Sequence, residues 1–174
     1  MSLKLVKEVD LGSGVRKASA TDIFTADYDV YFVTVTDLTS SYSIFTWSHA
    51  YFSNTSGTDI TNANYSNSLY IATTYTTPFG ENVYTGQTKI NLAFGADANP
   101  EANALSFWVY NPMNSNSYTY ATTKLLVSNT VNQGVFGQGI IELRETTQVA
   151  GMSFEHNFSG QILDGGTLRS YGLE

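Results

Sequence analysis

Apolar and polar residues alternate along most of the chain with a period of two, as they do in β-strands that bury one face of a sheet. The i, i+3, i+4 spacing of a long amphipathic helix is almost absent. The alternation predicts about ten strands. They cover residues 3–11, 29–36, 42–52, 68–74, 88–94, 105–110, 118–127, 135–143, 149–154 and 168–173.

Turn-forming residues separate these segments. Gly, Pro, Asn, Asp and Ser are concentrated in four stretches, which are predicted loops: 54–67, 76–85, 111–117 and 164–167. The one predicted helix is a turn or two over 97–104, where Pro100 suits an early helical position.

The regular spacing of the strands and the absence of a long linker predict a single domain over residues 1–174. We expect an all-β fold, namely an antiparallel two-sheet, jelly-roll-like β-sandwich of about eight to ten strands. A closed barrel is the alternative.

The net charge of the chain limits the classes of partner that it can bind. The chain carries 15 acidic and 8 basic residues, a net charge of −7, and the cations are scattered along it. This charge would repel phosphate backbones and anionic lipid, so we expect neither a nucleic-acid nor a membrane partner. No apolar run is long enough to span a bilayer, and residues 1–9 lack the apolar stretch of a secretory signal. The expectation is a soluble protein that is not exported by that route.

The residues that usually carry nucleophilic or metal chemistry are missing or isolated. There is no Cys, and His49 and His156 stand alone, so a packed or surface role is expected for both histidines. A glycine cluster at 134, 137 and 139 precedes a predicted strand and not a helix, unlike a phosphate-binding loop.

Two sets of oxygen-bearing side chains are candidates for a catalytic or a metal site. The carboxylates that could act in pairs, as in a glycosidase, are Glu142, Glu145, Glu155 and Asp164. Asp59, Asn62 and Asn64 alternate in a loop that could bind Ca²⁺, but the EF-hand pattern is absent. Because ordinary solvation explains both sets, we expect no enzymatic activity, no metal site and no cofactor.

The candidate binding residues are two aromatic pairs, Trp47 with Tyr51 and Trp108 with Tyr110. The members of each pair share one face of a predicted strand, whereas Phe107 points the other way. Aromatic faces stack on sugars, and Trp and Tyr are also enriched at subunit interfaces. Core packing, a subunit interface and a glycan site therefore remain open for these residues.

Three stretches of the sequence resemble small β-sandwich virion proteins of tailed bacteriophages, especially of marine and cyanobacterial phages. The stretches are Asp22-Ile23-Phe24 followed by Asp27-Tyr28-Asp29-Val30-Tyr31-Phe32, then Phe107-Trp108-Val109-Tyr110 with the turn Asn111-Pro112, and finally residues 147–154 with Gly165-Gly166-Thr167-Leu168-Arg169-Ser170-Tyr171-Gly172-Leu173. Only the last of them, a glycine turn and an alternating strand ending in Tyr-Gly-Leu, is at all specific.

The resemblance implies a structural role in the virion, which would be assembled in the bacterial cytoplasm. It favours a head decoration protein that binds the major capsid protein or other virion proteins and stabilises the shell. A homo-oligomer is expected, and a trimer would suit the threefold axes of a capsid lattice. The alternative is a tail fibre or receptor-binding module that recognises host-surface glycans.

Overall fold

The computed structural model describes residues 2–39, 48–73, 80–92, 104–128, 134–157 and 162–174. These residues contain no helix, and their fourteen strands all pair in antiparallel fashion. The strands are β1 (Leu3–Asp10), β2 (Ser13–Val15), β3 (Lys17–Ala20), β4 (Val30–Thr36), β5 (Ser48–Asn54), β6 (Tyr65–Thr73), β7 (Gly80–Gln87), β8 (Ile90–Leu92), β9 (Ala104–Tyr110), β10 (Thr119–Ser128), β11 (Gly134–Leu143), β12 (Val149–His156), β13 (Leu163–Asp164) and β14 (Thr167–Leu173).

The strands form a large sheet and a small sheet that pack against each other. The large sheet has eight strands in the order β1-β14-β4-β9-β10-β11-β6-β7, and the small sheet has four in the order β3-β12-β5-β8. β2 and β13 form a separate two-stranded ribbon. Because β1 and β7 are the two ends of the large sheet, that sheet is open, and the fold is the expected all-β sandwich and not a closed barrel.

Each predicted strand matches an observed one, although strand 42–52 is described only from Ser48 onward and the rest of it lies outside the described residues. The predicted helical turn lies outside them as well, except for Ala104, which begins β9. Three loop predictions were wrong in part. β7 begins inside the loop predicted at 76–85, and β6 begins inside the loop predicted at 54–67. The loop predicted at 164–167 includes the last residue of β13 and the first residue of β14. The short strands β2, β3 and β13 were not predicted.

The core lies between the inner faces of the two sheets. Buried and more exposed residues alternate along β4 and β9, so that the inward side chains of these strands are fully or almost fully shielded from solvent. Phe107 of the large sheet meets Phe154 of the small sheet with ring centroids 6.2 Å apart, and neither ring is exposed. Burial of one such side chain contributes about 1.5–3 kcal/mol.

The two central strands of the small sheet are buried on both of their faces. β12 is buried at every position except Glu155, and β5 at every position except Asn54. The large sheet differs, since its outward positions on β4 and on β9 to β11 are intermediate or exposed. This asymmetry leaves the outer face of the large sheet as the broad open surface of the described residues.

The segment between β3 and β4 is fastened to the core by a tyrosine. The hydroxyl of Tyr31 accepts the backbone N–H of Thr25 at 2.8 Å and donates to the carbonyl oxygen of the same residue at 2.7 Å. The Tyr28 ring then covers Gly172, where a Cβ atom would lie only 2.2 Å from the ring. The first and last stretches of the phage resemblance therefore meet at this point of the fold.

Candidate functional site: the outer face of the large sheet

The exposed large apolar side chains of the described residues are concentrated on one surface. Those exposed by 36–64% are Leu3, Leu5, Tyr70, Val83, Tyr110, Tyr118, Tyr120, Leu126, Phe136 and Ile140. All of them except Tyr118 lie at outward positions of large-sheet strands, and Tyr118 directly precedes β10. Exposed apolar side chains that gather on one face make that face a candidate interaction surface.

Strand register arranges these side chains in rows across the sheet. The first row runs Leu5, Tyr171, Phe32, Trp108, Thr122, Ile140, Ser68 and Val83. The second row runs Arg169, Thr34, Ser106, Lys124, Gln138, Tyr70 and Glu81. The first row is largely apolar and aromatic, whereas the second carries charges near both of its ends and in its middle.

The aromatic residues of the first row contact one another. The rings of Phe32 and Trp108 have centroids 4.7 Å apart, and those of Phe32 and Tyr171 have centroids 6.4 Å apart. A groove of about 640 Å³ runs beside them and is lined by both apolar and polar side chains. Besides Phe32 and Trp108, the groove contains Tyr70, Ile140, Glu81, Lys124 and Gln138.

The structure places only one of the predicted aromatic pairs on this face. Trp108 and Tyr110 point outward, with Trp108 half-buried in the groove, while Phe107 is fully buried on the opposite side of β9. Trp47 lies outside the described residues. Tyr51 belongs to the small sheet, so it does not share a site with Trp108.

No family model, curated protein or solved structure gives a match to this chain. The geometry of the outer face is therefore interpreted from its own residues.

Tyr51 lies in a polar cluster on the small sheet. Its hydroxyl donates to the Glu155 carboxylate at 2.8 Å, and the Lys17 ammonium lies 4.5 Å from the centre of its ring. Burial, followed by the bond to Glu155, raises the pKa of the Tyr51 hydroxyl. Arg16 pairs with the same carboxylate at 3.2 Å. Because each of these groups is already paired within the chain, the cluster stabilises the packing of β3, β5 and β12.

Three of the four carboxylates that could act in a glycosidase belong to three different sheets. Glu142 is on β11 of the large sheet, Glu155 is on β12 of the small sheet, and Asp164 is on the β2–β13 ribbon. Glu145 follows β11 and accepts hydrogen bonds from the Asn62 amide. The hydrogen bonds and ion pairs described here join no two of these four carboxylates.

The polar loop before β6 does not gather its oxygen atoms around a common point. Asp59 accepts a hydrogen bond from the Ser153 hydroxyl at 2.7 Å, whereas Asn62 and Asn64 direct their amide N–H groups to Glu145. Within the described ranges, no three His, Cys, Asp or Glu side chains are placed to hold a metal ion. Nor does the described part of the chain include a helix long and apolar enough to cross a membrane.

Both histidines are buried, with 5% of His49 and none of His156 exposed to solvent. Burial, followed by the positive charge of Lys89, lowers the pKa of His49 to about 4, and burial lowers the pKa of His156.

The glycine cluster lies within β11, and a Cβ atom on Gly139 would approach the Ser68 carbonyl oxygen of the next strand to 2.2 Å. The glycine permits close strand approach and forms no phosphate-binding loop.

Most of the apolar residues on the outer face were not predicted from the sequence. Leu126, Phe136 and Ile140 are exposed by 42–63%, yet each lies in a strand next to a buried apolar neighbour. Adjacent apolar residues inside an alternating strand were the available signal, because such a pair places one apolar side chain on each face.

Proposed function

We propose that this chain is a non-enzymatic structural protein of a bacteriophage virion, most simply a head decoration protein that binds and stabilises the capsid shell. The observation that carries the proposal is the one-sided distribution of exposed apolar side chains over the large sheet. The phage-like stretches supply the virion context.

The physical argument is that the outer face gains free energy when another protein covers it. Removing apolar surface from water contributes about 25 cal/mol per Å². The outward positions of β4 and β9 carry no charged residue, so covering them does not leave an unpaired ion in the contact. A surface with this composition favours adhesion to protein over catalysis.

The half of the face formed by β1, β14, β4 and β9 is the proposed contact with the shell. Its centre is the contact of Phe32 with Trp108 and Tyr171, and Leu5, exposed by 51%, lies beside Tyr171 at its edge. The aromatic rings are already held against each other. Ordering them on binding therefore costs little conformational entropy.

The test is quantification of the chain in purified particles of the phage that encodes it, followed by rebinding of the purified protein to particles that lack it. We expect a fixed copy number per particle. Leu5→Asp should weaken rebinding at least about tenfold, because it places a charge in an apolar contact. Lys4→Gln is the matched control, since it also makes the net charge more negative by one and the neighbouring side chain points away from this face, and it should bind as the wild type does.

Absence of the chain from purified particles would overturn the proposal. The proposed shell contact would be rejected if Leu5→Asp rebound with wild-type affinity.

A receptor-binding function is the second candidate, and one observation favours it. Trp108 is half-buried beside a groove that also contains the polar side chains of Gln138, Lys124 and Glu81, which is the combination that sugar recognition uses. Glycan-array binding that is lost in Trp108→Ala and retained in Tyr120→Ala would support this function. Tyr120 is exposed on the same sheet but does not line the groove. An array without any bound glycan would reject it.

A further inference from the structure

One row of the half of the outer face formed by β10, β11, β6 and β7 has a charge pattern that is complementary to itself. Lys124 on β10, Gln138 on β11, Tyr70 on β6 and Glu81 on β7 are successive partners in one row. Lys124 and Glu81 are therefore three strand spacings apart, about 14 Å, which is too far for them to pair within one chain. The cation and the anion lie at equal distances from the line between β11 and β6.

From this pattern we infer that a second copy of the chain covers these four strands, related to the first by a two-fold axis that runs parallel to the strands between β11 and β6. Rotation about this axis exchanges β10 with β7 and β11 with β6. Lys124 of each copy then lies opposite Glu81 of the other copy, so the contact contains two equivalent ion pairs. A face that meets itself in this way is the defining property of a two-fold interface.

Charge also selects the direction of the axis. An axis perpendicular to the strands would place Lys124 opposite Lys124 and Glu81 opposite Glu81. Like charges facing each other in a contact disfavour the arrangement. Only the axis parallel to the strands places each of these four charges opposite a charge of the other sign.

The neighbouring row is complementary in size under the same rotation. In that row Thr122, Ile140, Ser68 and Val83 are successive partners. The rotation places Ile140, exposed by 63%, over Ser68 of the other copy, and Val83, exposed by 64%, over Thr122. A large side chain therefore meets a small one at each position, as packed sheet faces require.

The available area is sufficient for a dimer. The apolar side chains on these strands that are exposed by 40–64% are Tyr70, Val83, Tyr120, Leu126, Phe136 and Ile140. At about 100 Å² each they offer about 600 Å² per copy, and the polar residues between them bring the total near the roughly 800 Å² per partner of a standard interface.

This inference rests on the proposed function only for the virion context: the rotation leaves the β1, β14, β4 and β9 half of each copy uncovered, and the two uncovered halves face in opposite directions. It differs from the trimer that the phage resemblance implies, because a three-fold ring joins two different patches and does not use a self-complementary one.

The experiment is sedimentation equilibrium of the purified chain without particles, with charge variants on the two ends of the row. We expect the wild type to have twice the 19.0 kDa mass of one chain. Lys124→Glu and Glu81→Lys should each weaken dimerisation at least about tenfold, and the double variant that carries both changes should restore it, because the pairs are reversed and not removed. Lys4→Glu alters the net charge as Lys124→Glu does, but it lies on β1 and should leave the mass unchanged. Far-UV circular dichroism of every variant checks the fold.

A monomeric or trimeric wild type would overturn the inference. So would a dimer that is insensitive to both single changes, or one that the double variant fails to restore. A monomer that still attaches to particles would refute the dimer alone, whereas a dimer that is absent from particles would refute only the proposed function.

Discussion

Replacement of His49 by glutamine should remove much of the dependence of stability on pH between pH 7.5 and pH 5. His49 lies in the middle strand pair of the small sheet, opposite Glu155 on β12 and Asn91 on β8, and is 5% exposed. Burial lowers its pKa to about 4, against 6.5 for the free side chain, and Lys89 adds to the effect. Glu155 and the hydrogen bond with Asn91 favour the charged form but do not outweigh burial.

The direction in which stability changes with pH follows from proton binding in the folded and unfolded states. Between the folded pKa near 4 and the unfolded value of 6.5, the unfolded chain binds more protons at this histidine than the folded chain does. Stability from neutral His49 is therefore fully present above about pH 6.5 and is lost as the pH falls towards 4. At pH 5 the loss is about 2 kcal/mol, which corresponds to a fall of about 4–8 °C in Tm for a domain of this size.

The measurement is urea denaturation of the wild type and His49→Gln at pH 7.5 and pH 5, with the free energy of unfolding compared at each pH. His156 contributes in the same direction, because burial also lowers its pKa, so only the difference between the two proteins is assigned to His49. We expect the wild type to lose about 2 kcal/mol more than the variant over this interval. Equal losses in the two proteins would refute the reasoning, whatever the variant costs at pH 7.5.

The remaining predictions concern the backbone. Tyr31→Phe should lower the free energy of unfolding by about 1–3 kcal/mol in urea denaturation, because it leaves the backbone groups of Thr25 without their partner; an unchanged stability would show that the tyrosine hydroxyl does not fasten this segment. Gly139→Ala should cost more than about 2 kcal/mol or prevent folding, since its Cβ atom would meet the Ser68 carbonyl oxygen. Gly137→Ala is its matched control, as the added methyl group there meets the Leu125 side chain and not the backbone of a neighbouring strand, and thermal melts should show the smaller loss.

The strands were predictable where β-branched, aromatic and other apolar residues form a continuous segment of strand length. β4 and β9 are segments of this kind, and each was found to within one residue at its start. β7 was missed because it is the edge strand next to β6, and its Gly, Asn and Gln residues resemble a loop when read along the chain. β2 and β13 are too short for any period to be visible.

The candidate binding residues were predictable only as pairs within a strand. Alternation correctly placed Trp108 and Tyr110 on one face of β9 and Phe107 on the other. It could not reveal that Tyr51 belongs to the small sheet, since membership of a sheet is decided by pairing between distant parts of the chain. Strand β12 joins β5 to β3 in this way, with more than ninety residues between β5 and β12 along the sequence.

The residue pattern that builds the core also explains why the outer face could not be predicted from the sequence. In β10 and β11, apolar residues occupy both faces, so a period of two identifies the strand but not the side that is buried. That choice is made by the small sheet, which covers only one face of the large sheet. The apolar surplus on the uncovered face, together with only 13% charged residues in the chain, is costly for an isolated protein and favourable for one whose surface is covered after assembly. The proposed association with another protein would remove this cost.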